Sequence, residues 1–500
     1  MWWFLTISLL TLLYYIWQKQ GSMGKKYLIC MPHLPILGSL PYMNFHDPAH
    51  VYFTKLKEKY GNTFAFWMGP QYSVVVNHFS AAKEVLLKKG KDFASRPRMV
   101  TTDILSGSGK GIAFSEYGPQ WRMYRKLVQS SFSLLKDGSQ KLEKLICQEA
   151  NTLCKSLAAA QGKIQDPATD IFLASSNVIC QFCFSSSWNK DDEDFEIMMD
   201  YNSLVDIFPW IQARAIGPCP ALFPNKDLAL LKDSVTLRNE LLKKKLEIQK
   251  EKFNIDSVNN LLDALLKAKL DSDNPLVQEP EITDEHILMT VGDIFGAGVE
   301  TTSTVVRWCI AFLLHHPQVG LPNCSNMHLS LSPNPYPPNT GEDNSKCLKA
   351  HGSAVCSSPI STYLIVPIPP ISQGIGEYTI PKGTRIYINL WSIHHDPTQW
   401  NEPERFMPER FLDKNKDQLI IPNASYFPFG SGPRVCVGEF LARSELFLFL
   451  AWILQRFDLE VPDDGELPSL DGLSGVVFQI IPFKLKVKLR KGWREAELSA

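Results

Sequence analysis

The residue best placed to do chemistry is Cys436. It ends the run Phe429-Gly430-Ser431-Gly432-Pro433-Arg434-Val435-Cys436-Val437-Gly438, just ahead of the apolar stretch EFLARSELFLFLAWIL. A thiol at the opening of a predicted helix, near backbone N–H groups and Arg434, is biased towards thiolate, the form that ligates metal. A thiolate there can hold iron. Gly432 and Gly438 let the backbone approach a flat macrocycle, and Arg434 can pair with its acid groups. A structural cysteine after an ordinary turn would explain Cys436 alone, not the Phe, Gly, Arg and Gly at their offsets.

The elements that must position this loop read as mainly helical. Residues 80–93, 133–160 and 234–253 place apolar side chains three and four apart, which predicts amphipathic helices. Short β-type runs, TFAFWMG, YSVVVN and TRIYINL, lie between turns. The expected fold class is therefore mainly α with a small β component (α+β). The Cys180-x-x-Cys183 pair sits in an apolar run with no second pair or His at zinc spacing, so both read as buried helix cysteines.

Composition narrows the class. With 51 Lys plus Arg against 52 Asp plus Glu in 500 residues, no positive field exists to hold nucleic acid by counterion release. Hydrophobic residues at 45% exclude a disordered chain. The 11 cysteines, odd in number and scattered, do not suggest a disulfide framework. Residues 2–17 (WWFLTISLLTLLYYIW) carry no charge and precede Lys19, Lys25 and Lys26. At about 1.5 Å per residue they span roughly 24 Å, enough for a thin bilayer. Residues 1–20 read as a retained transmembrane signal anchor with the basic side cytoplasmic. A proline-containing linker over 21–44 follows, and the body occupies 45–500.

The cysteine loop is similar at every specified position to the F-x-x-G-x-R-x-C-x-G signature of the cytochrome P-450 superfamily, the haem-thiolate monooxygenases. DIFGAGVETTSTVV (293–306) resembles that family's central helix, with Ala297, Gly298, Glu300, Thr301 and Thr302 matching A-G-x-E/D-T-T. Gly and Thr together are expected to loosen the helix locally, so that Thr301 holds a water and Glu300 helps manage protons. Trp121 and Arg125 in WRMYR match W-x-x-x-R. The resemblance implies Cys436 as the iron ligand of haem b, and Arg96, Trp121, Arg125 and Arg434 as haem contacts. Pro408-Glu409-Arg410-Phe411 matches P-E-R-F, a motif repeated at Pro403-Glu404-Arg405-Phe406.

Stretches such as SRPRM, KGIAF, LLKDGSQKLEKLICQE and RFDLEVPDDGELPSL are similar to the branch that hydroxylates steroids at carbon 17 and cleaves the carbon 17 to carbon 20 bond. That resemblance implies pregnenolone or progesterone as substrate and Ala113, Ala297 and Val477 as substrate-lining residues. It also implies molecular oxygen, NADPH delivered through NADPH-cytochrome P-450 reductase, cytochrome b5 as a further partner, and the endoplasmic reticulum membrane.

Two segments depart from the family. Residues 201–223 look rearranged, and residues 320–372 carry nine prolines and nine serines, a composition that cannot build the family's helices. No arginine lies between Arg307 and Arg385, so the family's E-x-x-R motif is absent. A buried Arg410 deprived of those partners would lose about 3 to 5 kcal/mol. Two other readings therefore stay open: a splice or assembly variant that does not hold haem, and a monooxygenase of other lipophilic substrates.

Overall fold

A computed structural model of the chain describes residues 28–44, 46–137, 139–206, 226–272, 281–317, 363–366, 369, 372–411, 420–421, 423–473, 475 and 477–490. The expected anchor and residues 207–223 lie outside them, as does most of 320–372. Among the described residues no helix is long and apolar enough to cross a membrane. Two compact units emerge, one from residues up to Ser95 with Tyr363–Ile393, the other from Arg96–Thr362 with His394 onward.

The first unit is built on a four-stranded sheet whose spatial order is Thr63–Met68, Gln71–Val76, Arg385–Asn389, Tyr363–Val366. Aromatic and β-branched residues explain the strands: Phe64, Phe66, Val74, Val75 and Val76 are fully buried. The first two strands pair antiparallel from Thr63↔Val76 to Met68↔Gln71, and the second pairs parallel with Arg385–Asn389. Helix α1 (Ala49–Tyr60) lays Phe53 and Tyr60 on Phe64 and Phe66. Residues 28–44 run beside the first strand, with Met31 N–H donating to Ala65 O at 2.9 Å. Gly38 sits at φ +62°, where a Cβ would lie 2.4 Å from Trp67 O. The helix expected over 80–93 is shorter. A single α-turn, Phe79–Lys83, widens into a π-turn closed by Lys89 N–H on Glu84 O, and the Lys89 ammonium then pairs with Glu84 at 2.6 Å.

The second unit is helical. Its long helices are α2 (Pro119–Asp137), α3 (Ser139–Ala159), α4 (Ala168–Phe184), α5 (Glu193–Asp206), α6 (Lys226–Lys252), α7 (Leu261–Ser272), α8 (Asp284–His315) and α9 (Glu439–Arg456). The run expected over 133–160 is thus divided between α2 and α3, at an Asp-Gly-Ser that carries both stop and start signals. α8, about 48 Å long by its residue count, is the axis. Thr283 caps it, its Oγ1 accepting from His286 N–H while His286 Nδ1 accepts from Thr283 N–H. α4 is buried along most of its length, Ser175, Ser176 and Asn177 included, and packs against α8. At Gly298 the two helices come so near that a Cβ would stand 2.6 Å from Ile179 Cδ1. A small sheet, Ile164–Gln165, Leu485–Leu489 and Phe457–Glu460, completes the unit.

α8 is continuous from Asp284 to His315, so the local loosening expected from Gly298 and Thr301 is not seen. Packing accompanies this: Val299, Thr302 and Ser303 are buried through the segment. Cys180 and Cys183 lie in α4, buried as expected.

Candidate active site

Four elements of the second unit meet at the site: the loop around 111–115, the start of α2, the cysteine loop and the middle of α8. Trp121 and Arg125 lie one turn apart on α2. Trp121 is 4% exposed, and its Nε1 donates to Ile112 O at 2.9 Å. The Arg434 guanidinium lies 4.1 Å from the Trp121 ring centre and that of Arg125 5.5 Å, while Arg125 Nη2 donates to Val435 O. Arg434 also donates to Ile112 O at 3.0 Å and Ser115 O at 2.6 Å, and Arg96 Nε to Ala113 O at 3.2 Å.

Two guanidiniums therefore lie on one indole, and that of Arg96 is close enough to repel both. Burial pulls Arg434 down to about 8, helped by the charges of Arg96 and Arg125, and pulls Arg96 down to about 10, helped by Arg125. Arg125 is lowered by burial and supported by Cys436. A place where desolvated cations repel one another favours an anion that can satisfy several of them together.

Cys436 corrects one expectation. α9 starts at Glu439 with Gly438 as its cap, so Cys436 stands two residues ahead of the cap, outside the helix. Its surroundings push the thiol up, chiefly by desolvation; Gly438 N–H pulls it down, Glu439 pushes it up and Arg125 pulls it down. In the chain by itself the group is a thiol, and an arriving cation must draw off the proton.

Ala297 and Thr301 share one face of α8, with Ala297 exposed and Thr301 half-buried. The Thr301 hydroxyl donates to Ala297 O at 2.6 Å, leaving its lone pairs to accept. Glu300 turns elsewhere. Its carboxylate accepts from Gln479 Nε2 and from Thr304 Oγ1, the latter at 3.2 Å. Burial raises its pKa, opposed by Gln479, Thr304 and Arg307. Glu300 and Thr301 are thus adjacent in sequence with separate partners. Val477, 7% exposed, belongs to the segment that carries Gln479.

Arg410 is half-buried, and it donates to Asn401 O at 2.9 Å, Glu402 O at 3.1 Å and Arg405 O at 2.9 Å. Asn401 and Glu402 lie just ahead of the first P-E-R-F copy and Arg405 lies within it.

Sequence reasoning missed two groups. Asp293, one turn before Ala297, accepts from the backbone N–H of Ile112 at 2.7 Å and of Ala113 at 2.9 Å, both on Oδ2. Its position four residues ahead of Ala297 is a signal that helical spacing offered. The second is a buried polar cluster: Arg238, 2% exposed, donates to Tyr201 OH at 2.6 Å and Leu105 O at 2.9 Å beside the 2% exposed Asn202. Gly292 and Gly296 of α8 face this cluster, at ordinary contact distance from Arg238 and Asn202. In sequence, Arg238 reads as one more charge on an amphipathic helix.

Asp293 supplies a pH prediction. Burial raises its pKa from 3.8 to about 6, against the pull of the two N–H groups and Arg238. The folded chain therefore binds this proton more tightly than the unfolded one, and stability falls as pH rises through that window. Above it the ionised form costs on the order of 3 kcal/mol. Asp293→Asn keeps an oxygen for both N–H groups, so it is expected to raise the thermal midpoint at pH 8 and to lose that advantage near pH 4. An equal change at both values would refute the assignment.

The chain matches the Cytochrome P450 family over residues 30–320 and 372–487, and it belongs to that family. It is similar to the steroid 17-alpha-hydroxylase/17,20 lyases of Pan troglodytes and Homo sapiens, each 46% identical over 512 residues and 99% of both chains. Among solved structures, a zebra fish cytochrome P450 with progesterone superimposes with a TM-score of 0.77 at 40% identity, covering 88% of this chain and 99% of that one. A zebra fish cytochrome P450 with abiraterone gives 0.75 at 39% identity, covering 89% and 100%.

Proposed function

We propose that the chain hydroxylates steroids of the pregnenolone and progesterone type at carbon 17, from an anchor in the endoplasmic reticulum membrane formed by residues 1–20. The observation that carries the reading is the clustering of Arg125 and Arg434 on Trp121, with the Arg96 guanidinium facing both, beside Cys436. These residues fit a haem. Its two carboxylates answer the three crowded guanidiniums, and a thiol with Gly438 N–H directed at it suits an iron ligand.

Cys436 would ligate the iron, and Trp121 with the arginines would hold the propionates. Bound haem supplies the activation of molecular oxygen, with electrons arriving from NADPH through NADPH-cytochrome P-450 reductase, and cytochrome b5 is a second partner. Every other task falls to the polypeptide. Ala113, Ala297 and Val477 offer small and branched apolar contacts to a flat hydrocarbon skeleton. Thr301 accepts a hydrogen bond from a water while its own proton rests on Ala297 O, and Glu300 exchanges protons.

The test is turnover by the haem-loaded chain with reductase and NADPH, on progesterone and pregnenolone beside unrelated lipophiles. A 17-hydroxylated product from the steroids, reduced about tenfold or more in Thr301→Ala, is expected. Haem-loaded protein that oxidises only the other lipophiles would overturn the steroid assignment.

A further inference from the structure

The segment 477–480 is stitched to α8 by three different groups. Trp308 Nε1 donates to Phe478 O at 2.9 Å, and the Trp308 and Phe478 rings stack with centres 5.7 Å apart and planes 8° apart. Arg307 Nη2 reaches Ile480 O at 3.4 Å. Between them Gln479 Nε2 donates to Glu300 Oε1, while Gln479 Oε1 accepts from Thr304 Oγ1 at 2.9 Å.

This arrangement fixes the amide's orientation. With Thr304 Oγ1 donating to its oxygen, its nitrogen faces the carboxylate, and an N–H aimed at a carboxylate favours the ionised form. Thr304 alone cannot do this for Glu300, because its single proton is shared with the nearer Gln479 Oε1. The cation facing Glu300 is Arg307, on the same helix. The backbone clamps on either side hold Gln479 in place whether or not Glu300 carries a proton.

We infer that Gln479 is a positioning residue for proton handling, a side chain outside the reacting centre that sets where and in which state the Glu300 carboxyl stands. The inference rests on the reading of Glu300 as a proton-exchanging group. It places this control on the C-terminal segment rather than on α8 itself. Changes near Gln479 then alter the chemistry through Glu300 without touching substrate.

The experiment compares wild type, Gln479→Met, Glu300→Gln and the double variant. The limb of the pH–rate profile that Glu300→Gln removes is expected to move up by about one unit in Gln479→Met. In the Glu300→Gln background, Gln479→Met should change turnover by less than about twofold, since its route is already cut. Infrared titration of the carboxyl band that vanishes in Glu300→Gln gives a readout independent of turnover, and it should show the same upward move. If Gln479→Met does not fold, Gln479→Asn, one methylene too short to reach, takes its place with the same expectations. A limb and band at their wild-type positions, or equal slowing with and without Glu300, would overturn the inference. Wild-type turnover in Glu300→Gln would instead sink the proton role of Glu300, and the infrared titration still judges Gln479 by itself.

Discussion

Cys436→Ser is expected to abolish the red-shifted band of the reduced carbon monoxide complex and to reduce steroid turnover to background. The other described cysteines of the second unit, Cys147, Cys154, Cys180, Cys183 and Cys309, are buried, and desolvation raises each thiol. None offers a replacement ligand. Cys436 differs by being exposed, by the Gly438 N–H and by the nearby Arg125. A serine keeps the size and the hydrogen bond but not a sulfur that can give up its proton to a metal. Haem that binds Cys436→Ser through another donor would give an unshifted band. A red-shifted band in this variant would move the ligand elsewhere in the chain and remove the basis of the proposed function.

Trp121→Ala should be the most damaging change that leaves Cys436 in place. Truncating a buried tryptophan costs about 3–5 kcal/mol, and here it also strips the surface on which Arg434 and Arg125 rest. Lower thermal midpoint and faster haem transfer to apomyoglobin are the expected readouts. Trp121→Phe separates the two contributions. It retains a ring beneath Arg434 and loses the Nε1 bond to Ile112 O, so a cost of about 1 kcal/mol and haem retention near wild type are expected. Equal haem loss in both variants would mean that the indole N–H, not the ring, organises the cluster.

The cysteine loop and the α8 motif were legible because local chemistry alone makes them unusual. No packing pattern requires Phe429, Gly432, Arg434 and Gly438 at their offsets from Cys436. The strands Thr63–Met68 and Gln71–Val76 were equally plain, being dense in aromatic and β-branched residues. Other features depended on distant partners that periodicity cannot supply. Glu300 leaves Thr301 for Gln479, which lies 179 positions along the chain. Asp293 reads as a polar helix residue until the Ile112 and Ala113 amides arrive. The thiolate bias assigned to Cys436 is opposed by desolvation, and the helix end invoked for it starts three residues later. The carbonyls that receive Arg410 belong to a turn that only three-dimensional structure reveals.

The bonds around 111–115 have an evolutionary reading. The Ile112 and Ala113 amides meet Asp293, and the carbonyls of Ile112, Ala113 and Ser115 receive Trp121, Arg96 and Arg434. On the loop side, every one of these contacts is made by main-chain atoms. Side chains here can be exchanged without touching the grip on the arginines, whereas a single inserted or deleted residue would shift all of the contacts together. Libraries that diversify the letters of this loop at constant length should therefore yield new substrate preferences at little loss of cofactor, and libraries that vary its length should yield mostly dead protein.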